Sequence, residues 1–482
     1  MAWSVDEQLA LTASEAVAAI RTGKLRATDY VATLLARAAA LASLNALTVL
    51  NMEGALAAAQ RIDALSPDEK ARLPLAGLPI VVKDNINTAQ LQTSGGTPAL
   101  AGFTPKTNAR SVQRLLDAGA VLLGKANMHE LACGITSTNL AAHAGPVRNP
   151  YDPGLIPGGS SGGNAVAVAA RIAPAGLGTD TNGSNRIPAA LTGCVGFRPS
   201  VGNGGAERRY HDPDAVLPLS HTRDTVGPIT RTVADAALLD AVITGDDALP
   251  AVTLAGLRIG LPAPLWDDLD PAVEAVARTA QRALEAAGVS FVEIGMPELM
   301  RLIEQTSPVT AHETLDDMRA WLVANDAPVQ TLQELALSIA SPDVRKVFAA
   351  ILADPFAPLY QAALTTWRPR LQQLYASTFA TDRVDALLFP TTCLAAAPLD
   401  EIRGSSMVSV NGTARDTMTA YLRNTEPAAS AGLPGLSLPA GRTADGLPVG
   451  IELDGPVGSD RRLLAIGSAC EQILGALAPP II

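Results

Sequence analysis

Hydrophobic and polar positions divide this chain into helix-like and strand-like stretches. Thr12-Ala-Ser-Glu15 has the form of a capping box, with Thr12 as N-cap and Glu15 reaching back, and opens a helix through Ile20. Arg26 to Ser43 and Met52 to Leu65 are predicted as two more helices, so residues 1–70 form a helical arm. Leu75-Ala-Gly-Leu-Pro-Ile-Val-Val-Lys83 is a short apolar run with β-branched residues behind Gly and Pro, which predicts a strand. Ala109 to Ala118 is an amphipathic helix, and Val121 to Lys125 a strand. Ala165 to Leu177 is apolar enough for a buried helix and strand. Ala234 to Thr244 is a helix.

Further on, strand Leu257 to Leu261, helix Pro271 to Ala287 and strand Val289 to Glu293 make one strand–helix–strand unit. Such a unit favours parallel strands with a right-handed crossover. Pro297 to Phe379 is mostly helical, with loops near Ser307, Asp326 and Ser341. Val384 to Pro390 and Leu436 to Pro439 are short strands, and Arg461 to Leu477 is a closing helix. No repeat or low-complexity linker interrupts the chain. The expected fold class is α/β, a large mixed, mostly parallel central sheet covered by helices on both faces. One domain is expected over 1–482, with the arm at 1–70, a core at 71–245 and a helical layer at 298–380 over the site.

Composition narrows the picture. Hydrophobic residues make up 48 % of the 482 positions and charged ones 17 %, enough for a large core. Aromatics are 4 %, so the core is aliphatic. A net charge of −11 speaks against a nucleic-acid surface. Cys133, Cys194, Cys393 and Cys470 are too scattered for a metal or disulfide framework and read as buried thiols. Met1 to Glu7 lacks a basic, then apolar, signal pattern, and no apolar run reaches membrane-spanning length. The expected address is the cytoplasm.

Two chemical motifs fail on inspection. Gly119 to Lys125 nearly fits a phosphate-binding loop, but Ala126 lacks the hydroxyl that would hold magnesium. His129-Glu130 begins like a zinc motif, but position 133 is Cys. The stretch Pro157-Gly-Gly-Ser-Ser-Gly-Gly-Asn164 is richer, since glycines around two serines let the backbone approach a ligand closely. It continues in Gly178-Thr-Asp-Thr-Asn-Gly-Ser184-Asn-Arg-Ile-Pro188. Gly159-Ser160-Ser161-Gly162-Gly163 matches the nucleophile elbow G-x-S-x-G, with Ser161 as nucleophile. That elbow wants a late histidine, and none follows His312. A neutral lysine can replace it as base where burial lowers its pKa. Lys83 ends an apolar strand and is the candidate, although a strand-end lysine can also snorkel to water.

These residues carry a resemblance. Gly158 to Gly163, Gly178 to Pro188, Gly193-Cys-Val-Gly-Phe-Arg-Pro199 and Gly77-Leu-Pro-Ile-Val-Val-Lys-Asp-Asn-Ile86 resemble the amidase signature family. The likeness is densest from Leu75 to Leu238 and continues in Asp385 to Pro390, Asn424 to Pro439 and Gly446 to Gly467. Asn127-Met-His-Glu-Leu131, Gly134-Ile-Thr-Ser137, Ser220 to Thr225 and Ser459 to Gly467 look most like the members that hydrolyse indoleacetamide and mandelamide. The resemblance implies a Ser–cis-Ser–Lys triad, with Lys83 as base, Ser160 as the bridging cis-serine and Ser184 as nucleophile. It implies an oxyanion hole of the N–H groups of Thr181, Asn182, Gly183 and Ser184, and substrate contacts from Cys133, Gly134, Ile135 and Ser161. Asn182 stands where the family usually has Gly. Asp180 and Arg186 are expected to hold the loop. Hydrolysis of a small carboxamide to acid and ammonia is the expected reaction, with no cofactor, no metal, and no nucleic-acid or membrane partner. A homodimer stays open. So do three rival readings: a carbamoyl-type hydrolase, an amidotransferase subunit and a non-enzymatic binding protein.

Overall fold

The computed structural model describes residues 3–482. Met1 and Ala2, the start of the stretch read for a signal peptide, lie outside the described residues. The strands are β1 (Leu47–Leu50), β2 (Pro79–Lys83), β3 (Val121–Ala126), β4 (Ala175–Asp180), β5 (Val195–Arg198), β6 (Thr225–Thr230), β7 (Arg258–Pro262), β8 (Ser290–Ile294), β9 (Ala386–Pro390), β10 (Met407–Val410), β11 (Thr413–Asp416), β12 (Gly435–Arg442) and β13 (Pro448–Asp454). Eleven of them form one sheet in the order β1-β3-β2-β4-β6-β5-β12-β13-β9-β7-β8, and β10 with β11 forms a separate hairpin.

The sheet is mixed, with its parallel pairs in two wings. One wing is β3–β2–β4, the other β9–β7–β8. Antiparallel neighbours from β4 through β13 to β9 join the wings, and β1 closes one edge antiparallel to β3. The strand–helix–strand unit seen in the sequence is the far wing, with helix Pro271–Ala286 linking β7 to β8.

Helices cover both faces. Adjacent side chains of a strand point to opposite faces, and β12 shows this directly. Leu436 meets the helix Asp460–Leu474 at Gly467, while Ser437 on the other face lies beside Gly450, which abuts Ala190 of the helix Arg186–Thr192. The core is aliphatic, as the composition requires, and runs along both faces in two large clusters.

Local chemistry sets the element ends. Thr12 Oγ1 accepts from Glu15 N at 3.2 Å and Glu15 Oε2 accepts from Thr12 N at 2.9 Å, so the capping box forms. A second box, Ser4 with Glu7, opens a helix Val5–Ala10 that the sequence reading passed over. β2 begins at Pro79, because Leu75 and Gly77 turn to donate to Ala118 O and Gly119 O, both at 2.9 Å. The region 298–380 is mostly helical, broken at Ser307, between Ala324 and Leu332, between Ser338 and Pro342 as expected near Ser341, and again between Ala353 and Ala357. It packs Met318 and Trp321 onto Met128, Leu131 and Cys133. Among the described residues, no single helix is long and apolar enough to cross a membrane.

Candidate active site

Lys83 ends β2, which lies between β3 and β4 and is buried along its whole length. The lysine is 0 % exposed, which overturns the snorkelling alternative. Its Nζ lies 2.7 Å from Ser160 Oγ and 2.7 Å from Thr179 Oγ1. Thr179 also accepts from Asn85 Nδ2 at 3.2 Å. Burial pushes the ammonium pKa down to about 7, against the upward pull of Asp180 and Asp224. A large fraction of Lys83 is therefore neutral near pH 7, with a lone pair able to take a proton from Ser160. Thr179 was not singled out from sequence. It lies on β4, next to β2 in the sheet, a juxtaposition only the fold supplies.

Ser160 follows a cis peptide bond from Gly159 and is fully buried. Its carbonyl accepts from His129 N at 3.1 Å. The helix Gly162–Ala169 starts two residues later and sits flush against its neighbours. A Cβ at Gly163 would come within 2.3 Å of Asn127 O, so only glycine fits. Ser161 N donates to Ser184 O at 3.1 Å, which joins the two serine loops directly. The Ser161 side chain, expected to touch substrate, is fully buried. Its Oγ lies 3.1 Å from Thr179 O and Asn185 Oδ1 and accepts from Thr179 N at 3.3 Å. That hydroxyl braces the loop to β4.

The Ser184 loop is organised by Asp180. Its carboxylate accepts from Gly183 N at 2.8 Å, Asn185 N at 3.2 Å, Arg186 Nε and Nη2 at 3.0 Å each, and Arg198 Nη1 at 3.2 Å. Burial alone would raise the Asp180 pKa, but Arg186 and Arg198 hold it well below the usual carboxylate range. One expected oxyanion donor is lost by this arrangement. The N–H of Gly183 is spent on Asp180, so it is not free for an oxyanion. The N–H groups of Thr181, Asn182 and Ser184 have no acceptor among the described residues, which leaves three donors. The positive φ of the loop falls on Gly183, at 142°, and a Cβ there would come within 2.2 Å of Thr425 Oγ1. Asn182 has an ordinary φ, so replacing glycine there demands no left-handed backbone. Ser184 is 7 % exposed, and its Oγ has no hydrogen-bond partner among the described residues. The structure thus links Lys83 to Ser160 by side chains, and Ser160's loop to Ser184 by backbone, with the hydroxyl-to-hydroxyl contact not formed.

Residues 133–135 run beside this centre. The Ile135 carbonyl carbon would lie 2.9 Å from a Cβ on Gly159, and a side chain on Gly134 would strike His129. Cys133 and Ile135 are buried in apolar clusters, and burial raises the Cys133 thiol pKa, so it stays protonated. His129 was missed as a partner. Its Nδ1 accepts from Ser137 N at 3.1 Å, and its Nε2 meets Asp343 of the helical layer at 3.0 Å.

Comparison with known proteins gives the family. The family model described as Amidase matches residues 29–464, and the chain belongs to this family. It is an amide-hydrolysing enzyme of the amidase signature fold. It is 45 % identical over 454 residues to an indoleacetamide hydrolase of Rhizobium radiobacter, covering 93 % of each chain. A mandelamide hydrolase of Pseudomonas putida is 41 % identical over 483 residues, covering 96 % of this chain and 92 % of that protein. Among solved structures, a crystal structure of an amidase superposes with a TM-score of 0.85 at 34 % identity, covering 96 % of this chain and all of the other.

Proposed function

We propose that this chain cleaves a small carboxamide of the arylacetamide kind to acid and ammonia, through Ser184, Ser160, Lys83 and an acyl-enzyme. The observation that carries the reading is the buried Lys83 Nζ, 2.7 Å from Ser160 Oγ, on a loop hydrogen-bonded to Ser184. Substrate docking has to draw Ser184 Oγ within hydrogen-bond reach of Ser160, a contact that is often loose without substrate. Ser184 Oγ then attacks the amide carbonyl. Its proton passes to Ser160 Oγ as the Ser160 proton passes to neutral Lys83. The N–H groups of Thr181, Asn182 and Ser184 hold the oxyanion, each such donor being worth about 2.7–4 kcal/mol of barrier. Return of the proton through Ser160 to the leaving nitrogen releases ammonia. Water repeats the sequence on the ester and frees the acid.

The acyl group is inferred from two relatives whose named substrates are primary amides of arylacetic acids. The Ile135 backbone, which would lie 2.9 Å from a Cβ on Gly159, and the buried, protonated Cys133 two residues before it put no charge on this side of the site, which suits an aryl side chain better than a charged one. Ammonia release by the purified chain tests this reading. Indole-3-acetamide, phenylacetamide and mandelamide are expected to release it faster than acetamide or biuret. Turnover of biuret alone, or of none of the five, would contradict the proposal.

A further inference from the structure

The mechanism leaves half of Asn182 unused. Both of its oxygens are occupied. The main-chain oxygen accepts from Thr425 Oγ1 at 2.6 Å, and Oδ1 accepts from Arg223 Nη1 at 3.2 Å. Both of its nitrogens lack an acceptor among the described residues. A guanidinium only donates, so the amide cannot turn over: its oxygen must face Arg223 and its Nδ2 must face away. Arg223 is itself fully buried. It is braced by Thr306 O at 2.7 Å and by Glu426 at 3.6 Å. Asn182 is half-buried, while Thr181, Gly183 and Ser184 around it are buried. The free Nδ2 is thus the accessible end of a side chain held from behind, two residues before the candidate nucleophile.

We propose that Asn182 determines specificity, its side-chain Nδ2 donating a hydrogen bond to an acceptor on the carbon next to the scissile carbonyl. The favoured class is the 2-oxygenated carboxamide, such as a 2-hydroxy-2-arylacetamide. This deepens the amide-hydrolase reading above and rests on it. In such a substrate the carbonyl oxygen and the 2-oxygen sit on adjacent carbons. One residue with two donors, its backbone N–H and its Nδ2, can meet both. A plain arylacetamide puts a methylene there and leaves Nδ2 desolvated and unpaired, which is the more expensive state. The common glycine at this position has no such donor.

Specificity constants for mandelamide and phenylacetamide test the proposal, in the wild type and in Asn182→Ala and Asn182→Gly. The wild type is expected to prefer mandelamide by about 3- to 10-fold, the range one neutral hydrogen bond supplies. In each variant that unfolds at the wild-type temperature, the ratio is expected to fall to about one, whatever happens to the absolute rates. A wild-type ratio within about twofold of one overturns the proposal without need of any variant, and so does an unchanged ratio in a folded variant. Failure to cleave either amide would instead overturn the broader function. The two failures are therefore distinguishable.

Discussion

Ser184→Ala is expected to lower kcat/KM by at least about 10⁵-fold, approaching the roughly 10⁶-fold loss when a serine hydrolase is stripped of its nucleophile. The expectation follows from position. Ser184 sits at the end of the loop that also carries the three free N–H groups, and the Asp180 network fixes that loop through Gly183 N and Asn185 N. No neighbour can take over the attack. Ser160 points its hydroxyl at Lys83, and Ser161 spends its own on Thr179 and Asn185. The variant should fold normally, because the Ser184 side chain makes no hydrogen bond among the described residues. Loss of labelling by a fluorophosphonate probe, together with loss of turnover, checks this. Retained labelling at Ser160 or Ser161 would move the nucleophile.

Lys83→Met is expected to lower kcat/KM by about 10²–10⁴-fold, the usual contribution of a positioned base. Stability is expected to move the other way. The lysine titrates near 10.5 when unfolded and near 7 in the fold, so between these values the unfolded chain binds more protons. Stability therefore rises with pH across that window, and the full penalty is present below about pH 7. Methionine of similar length removes the penalty. Thermal unfolding at pH 7 is expected at or above the wild-type temperature, while activity collapses. A variant that loses both would show that Lys83 holds the fold rather than the proton.

The segments that carry the candidate site stand out in the chain because each is local, although the residues alone pointed to Ser161 and only the family resemblance put the nucleophile at Ser184. The capping box at Thr12, the lysine at the end of Leu75 to Lys83 and the two serine loops each sit within a dozen residues. Pattern alone could not decide whether Lys83 reaches water. That depends on β3 and β4 flanking β2, strands about 40 and 90 residues away. Thr179 and His129 were missed for the same reason, since their partners arrive from other elements. β13 was missed because Glu452 and Asp454 interrupt its apolar run, and charged residues read as loop. In the fold Glu452 is buried against Arg186, one step behind Asp180. β1 is four residues long and only half-buried at a sheet edge, too short for periodicity to register. The lost oxyanion donor at Gly183 was also beyond the sequence, because an N–H three residues from a carboxylate reveals nothing until the loop curls.

The proposed catalysis requires an uncharged lysine that receives the proton. The pH dependence of kcat/KM for a primary arylacetamide measures this most directly. Neutral Lys83 is the active form, so the constant is expected to rise about tenfold per pH unit below neutrality and level off above an inflection near 7. The other buried lysine, Lys125, is pushed down to about 8 but faces Ile86 O, Thr88 and Thr93 rather than the serines. A flat profile between pH 5.5 and 8.5, or a rate that falls as pH climbs through 7, would contradict the claim.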